Sequence, residues 1–87
     1  MDVLIVEKQV VVSSTVGLHA SIAAKVVKAA SKYDVEINLY YNDKVIDAKS
    51  ILGLMSLAIP SGENVVIKAT GTDAEIAINE IASILSK

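Results

Sequence analysis

The chain has 87 residues, enough for one small domain and not for two, so residues 1–87 are expected to fold as a single unit. Hydrophobic residues make up 53% of it and cysteine is absent, which allows a core without staples and excludes a disulfide framework or a thiolate metal site. Ten acidic and eight basic side chains give a net charge of −2, and the aromatic set is three tyrosines, so neither a large basic field nor a stacking platform is available for nucleic acid.

No uncharged apolar run approaches the roughly 18 to 20 residues that a spanning helix needs, so no membrane insertion is expected. The opening "MDVLIVEKQVVV" has an acid at position two and charges inside its apolar run, unlike a signal peptide. A soluble, cytoplasmic domain is expected.

"VEKQVVV", Val6 to Val12, is rich in β-branched residues and ends at "SST", the pattern of a strand. After the loop Ser13 to Leu18, a helix is predicted from about Ala20 to Lys32. At 100° per residue, Ile22, Ala23, Val26, Val27 and Ala30 share one side of it, and Ser21, Lys25, Lys28 and Lys32 form a stripe on another. "VEINLYY" alternates Val35, Ile37, Leu39 and Tyr41 against Glu36, Asn38 and Tyr40, a half-buried strand. Asn42 and Asp43 tolerate left-handed backbone, so Lys44 to Asp47 is predicted as the return strand of a hairpin.

A short helix is predicted to start near Ser50 and to finish before Pro60. "NVVIKA" is the last strand. "GTDAEIAINEIASILSK" is the last helix, capped by Thr72 or Asp73, with Ala74, Ala77, Ile78, Ile81, Ile84 and Leu85 on one stripe. The order β-α-β-β-α-β-α predicts an α+β open-faced sandwich: a four-stranded antiparallel sheet with three helices on one face and the other face open to water. Fold alone does not give function.

The only histidine, His19, stands at the head of the first helix, after Gly17. A helix start leaves backbone N–H groups without partners and carries partial positive charge, so it cradles an anion and disfavours imidazolium. Neutral imidazole has a nucleophilic ring nitrogen, and a phosphoryl group accepted there lies over free N–H groups. Position alone also fits a surface histidine in a loop. No second histidine or cysteine exists to share a metal ion, so no metal site is expected.

"GLHASIAAKVVKAASKYDVEINLYYNDKVIDAKSILGLMSLAI" resembles the HPr family, the histidine-containing phosphocarriers of the bacterial phosphotransferase system. The similarity runs from about Ile5 to Ser86. It rests on Gly17, Leu18, His19, Ala20 and Ala23 of the G-[LI]-H-A-R-P-A box and on "AKSILGLMSL" of the A-K-S-I-x-G-x-M-S-L box. The resemblance implies a phosphoryl carrier with a transient phosphohistidine rather than a turnover enzyme. His19 would take phosphate from phospho-enzyme I and pass it to enzyme IIA domains, with no cofactor.

The family's Arg-Pro pair is replaced by Ser21-Ile22. A charge-assisted hydrogen bond is worth about 1.5–3 kcal/mol against roughly 0.3–1 for an exposed helix dipole, so the missing arginine costs about tenfold to a hundredfold without forbidding the reaction. Ser21 and Lys25 are expected to replace part of its role, a solvated lysine face being the plainer alternative. Lys25 and Lys28 also suit docking of acidic partner surfaces.

Ser50 is well placed as an N-cap. In Gram-positive HPr proteins, the resemblance adds, this serine is phosphorylated by HPr kinase/phosphorylase and then engages a catabolite-control repressor. Ile51, Leu52 and Met55 surround it at helical spacing and are expected to leave an exposed apolar patch for partners. Two rival readings stand: a regulatory adaptor acting only through phospho-Ser50, and a split β-α-β module binding nucleic acid or a metabolite.

Overall fold

The computed structural model describes residues 4–13 and 18–86. Strands β1 (Ile5–Val11), β2 (Glu36–Tyr41), β3 (Lys44–Asp47) and β4 (Asn64–Thr70) form one antiparallel sheet in the order β1-β4-β2-β3. Helices α1 (Ala20–Ala30), α2 (Ile51–Ser56) and α3 (Ala74–Leu85) complete the order β-α-β-β-α-β-α expected from the sequence.

The period-two pattern decides which face each strand buries. Val10, Ile37, Leu39, Val65, Ile67 and Ala69 point toward the helices and are buried. In register on the opposite face, Glu7 pairs with Lys68, Lys68 with Asn38, and Asn38 with Asp47, a polar row facing water. The helices close the core with Ala23, Val26, Ala29 and Ala30 of α1, Leu54 of α2, and Ala74, Ala77, Ile78, Ile81, Ala82 and Leu85 of α3. Ala29 and Ala82 widen the expected stripes, while Ile22, Val27 and Ile84 pack at the margin of the core, only partly buried.

Element boundaries move by one or two residues, each for a local reason. α1 ends at Ala30, not Lys32, because Lys32 N–H and Tyr33 N–H bond back to Ala29 O and Ala30 O, tightening the last turn. Val12 lies past β1, yet its N–H donates to Glu63 O at 3.0 Å and its carbonyl accepts from Gly62 N–H at 2.7 Å. α3 starts after Asp73, which makes no side-chain capping bond.

Candidate functional site

Two buried anchors place His19. Leu18, immediately before it, is buried, and its N–H donates to Ile59 O at 2.8 Å, tying the entrance of α1 to the loop that follows α2. On the other side, Ala23 N–H donates to His19 O at 2.8 Å, the first bond of the helix, and Ala23 is fully buried. Between these anchors the imidazole is exposed, in a shallow groove walled by Leu18, Ala20, Met55, Ala58, Ile59 and Pro60.

His19 is itself the N-cap of α1, an unusual residue for that position. Ser21 N–H donates to Nδ1 at 3.4 Å, a long bond that nonetheless turns this nitrogen toward the helix mouth. Ala20 N–H and Ile22 N–H have no hydrogen-bond partner among the described residues. Ser21 Oγ is 3.2 Å from Nε2 and 3.4 Å from Nδ1, so it lies across the ring rather than along either lone pair. The chain contains no arginine, so none from elsewhere takes the place of the one missing from the box. Gly17, expected to turn the backbone before His19, lies outside the described residues, as does most of the loop from Ser13.

Of the walls of this groove, Met55 was expected as a partner-binding residue, whereas Ala58, Ile59 and Pro60 were not legible as site residues. Ala58, two residues past the end of α2, has φ +48°, left-handed backbone that normally selects glycine, and swings Ile59 and Pro60 beside the histidine. Its position two residues before a proline was the available signal.

Lys25 does not line the histidine groove. It lines a second one between α1 and α3, with Lys28, Ala29, Lys32, Glu80 and Ile84. There Lys32 Nζ is ion-paired with Glu80 Oε2, and Tyr33 Oη donates to Glu80 Oε1 at 2.6 Å. Lys32 and Tyr33 hold the Glu80 carboxyl below its ordinary range, and Glu80 in turn raises both of them. Ser21 thus reaches His19; Lys25 and Lys28 face a different surface.

Ser50 is the N-cap of α2, its Oγ accepting from Gly53 N–H at 3.1 Å. Glycine is required three residues on: a Cβ at position 53 would stand 2.6 Å from Ile46 Cγ2 and 3.1 Å from Ser50 Oγ. The preceding turn is tied twice, by Lys49 N–H to Asp47 Oδ1 at 2.9 Å and by Lys49 Nζ to Tyr33 O at 3.0 Å. Ser56, the second serine of the helix, donates its hydroxyl to Gly53 O at 2.6 Å. The apolar patch is present, with Ile51 40%, Leu52 80% and Met55 43% exposed, and Met55 joins it to the histidine groove. Among the described residues no three His, Cys, Asp or Glu side chains gather as metal ligands, and no helix is long and apolar enough to cross a membrane.

Residues 6–87 match the family model described as the PTS HPr component phosphorylation site. The chain is similar to the crystal structure of a phosphocarrier protein HPr from Bacillus anthracis, at 39% identity over 94% of this chain and 98% of that one, with a TM-score of 0.90. It is also similar to a histidine-containing phosphocarrier protein from Mycoplasma, at 35% identity over 91% of this chain and 90% of that one, TM-score 0.85. A third similar structure is the Bacillus subtilis catabolite repression protein Crh, at 36% identity over 92% of each chain, TM-score 0.74. With the family's fold, the second motif box intact, the histidine box departing only at Ser21-Ile22 and the match spanning nearly every residue, the chain belongs to the HPr family of the phosphotransferase system.

Proposed function

We propose that the chain relays phosphoryl groups through His19, from enzyme I to enzyme IIA domains. The observation that carries this reading is the exposed imidazole acting as N-cap, with Nδ1 turned toward the N–H groups of α1. In the proposed step the Nδ1 lone pair attacks phosphorus, a nitrogen–phosphorus bond forms as the bond to the donor breaks, and Nε2 keeps its proton. The phosphoryl oxygens then accept from Ser21 N–H and Ile22 N–H, and the helix dipole favours their charge. Ser21 Oγ supports the group on the ring, and Lys25 adds longer-range positive charge.

Ser50 is the proposed regulatory phosphorylation site of an HPr kinase/phosphorylase. Its phosphate would keep the contact to α2 and present its charge beside Ile51, Leu52 and Met55. In this reading the patch receives enzyme I, enzyme IIA and, after Ser50 phosphorylation, a catabolite-control repressor, while Lys28, on the separate α1–α3 surface, attracts acidic partner groups from outside the patch.

The replacement of Arg-Pro by Ser21-Ile22, with the likeness to Crh, supports a second reading: an adaptor in carbon catabolite repression that works only through phospho-Ser50. Incubation with enzyme I and phosphoenolpyruvate separates the two. Acid-labile phosphate that disappears in His19→Ala supports the carrier. Acid-stable phosphate from the kinase alone, absent in Ser50→Ala, supports the adaptor.

A further inference from the structure

β1 lies at the edge of the sheet and pairs with β4 alone. At its two ends Leu4 O accepts from Gly71 N–H at 2.9 Å and Val12 N–H donates to Glu63 O at 3.0 Å, so the even-numbered residues turn their backbone groups to β4. Period two then turns the N–H and C=O groups of Ile5, Glu7, Gln9 and Val11 outward, where they meet no backbone partner among the described residues. Val11 O is touched only by the Ser13 hydroxyl, at 3.4 Å. The next outward N–H shows what this edge takes: Ser13 N–H donates to Leu85 O at 3.0 Å.

Beside the edge runs a groove of about 390 Å³. α3 lines it with Asn79, Ala82, Ser83 and Ser86, at helical spacing, and β1 lines it with Lys8 and Val10. Lys8 Nζ donates there to Asn79 Oδ1 at 3.3 Å and has no carboxylate partner among the described residues.

We propose that this edge and groove take an extended segment of a partner protein, added to the four-stranded sheet antiparallel to β1. Main-chain hydrogen bonds to Ile5, Glu7, Gln9 and Val11 hold it, and every second side chain drops into the groove. An acidic residue at its centre stands opposite Lys8, and apolar residues two positions to either side stand opposite Val6 and Val10. Charge selects against a second copy of the chain. The symmetric register that pairs all of Ile5–Val11 sets Lys8 opposite Lys8 in a close, non-hydrogen-bonded pair. The groove shares no lining residue with the histidine groove and includes neither Ser50 nor its apolar patch, so this docking is independent of the phosphocarrier reading.

The test is an NMR titration of the isotope-labelled full chain with a β-hairpin peptide whose free outer strand reads Thr-Val-Thr-Glu-Thr-Val-Thr. Saturable shifts and slowed hydrogen exchange are expected at the Ile5, Glu7, Gln9 and Val11 amides. N-methylation of the third and fifth residues of that strand removes two edge bonds and should weaken binding about tenfold or more. Glutamine in place of the glutamate should weaken it about threefold, a difference that Lys8→Gln erases. Gln9→Pro removes an outward N–H that β4 does not use and abolishes binding, its remaining amide spectrum reporting the fold; the methylated peptide makes the same test on the unaltered chain. His19→Ala binds like the unaltered chain. Equal binding of the methylated and unmethylated peptides, no protection at those amides, or self-association of the chain alone through the same edge would each overturn the proposal.

Discussion

Ser21 touches His19 twice: its backbone N–H points at Nδ1 and its hydroxyl lies across both ring nitrogens at 3.2 and 3.4 Å. One residue thus supplies both the fixed contact that orients the ring and the mobile donor beside it. A neutral hydrogen bond contributes about 0.5–1.5 kcal/mol, so Ser21→Ala is expected to slow phosphoryl transfer roughly threefold to tenfold. Ser21→Arg restores a charged donor and is expected to speed it by about tenfold or more, measured as the initial rate of acid-labile phosphate formation. Lys25→Ala should slow the same reaction clearly more than Lys32→Ala, whose lysine is already engaged by Glu80.

Loss of the Ser50 hydroxyl leaves Gly53 N–H without its cap. Ser50→Ala is expected to lower unfolding stability by about 1 kcal/mol in urea denaturation, while leaving phosphate transfer to His19 intact. A fall in both would mean that α2 and the histidine groove do not stand independently.

Ala58 carries backbone strain beside the histidine groove, at φ +48°. Ala58→Gly should relieve about 1 kcal/mol of it, raising the thermal midpoint by roughly 4–8 °C in a domain of this size. An unchanged or lower midpoint would show that the flexibility added to the unfolded chain outweighs the strain.

The Glu80 cluster sets a pH window. Hydrogen bonding to Lys32 and then Tyr33 lowers the Glu80 pKa from 4.5, so its contribution is present above that value and is lost as pH falls through the lowered one. Glu80 raises Tyr33 from 10.0 and Lys32 from 10.5, so their contribution is present below those values and is lost as pH rises through the raised ones. The difference in thermal midpoint between the unaltered chain and Glu80→Gln should therefore be full near neutral pH and close at both extremes. A difference that is constant with pH would contradict a charge-based clamp.

The fold was legible because two periods dominate the chain. Ile37 and Leu39 alternate with Asn38 and Tyr40 at period two, and Ala23, Val26 and Ala30 recur at helical spacing. His19 and Ser50 were legible because each stands where an apolar helical run begins. Ile59 was not, since its carbonyl meets Leu18 only after the chain has gone through α1, β2, β3 and α2. The Tyr33–Glu80 bond spans 47 residues, and no local pattern announces it. Lys25 fell on the same helical stripe as Ser21, but a helix face does not say what packs beside it; α3 makes the Lys25 end a groove of its own. Of Thr72 and Asp73, both cap candidates by residue type, Asp73 takes the cap position without making the bond.

The central claim is that His19 carries phosphate onward, and the most direct measurement is a chase. The chain is phosphorylated with enzyme I and phosphoenolpyruvate, separated from both, and mixed with an enzyme IIA domain. Disappearance of the phosphohistidine signal by phosphorus NMR, with matching label on enzyme IIA, is the predicted result. A chain that acquires no phosphate on His19, or holds it while enzyme IIA stays unlabelled, would contradict the account.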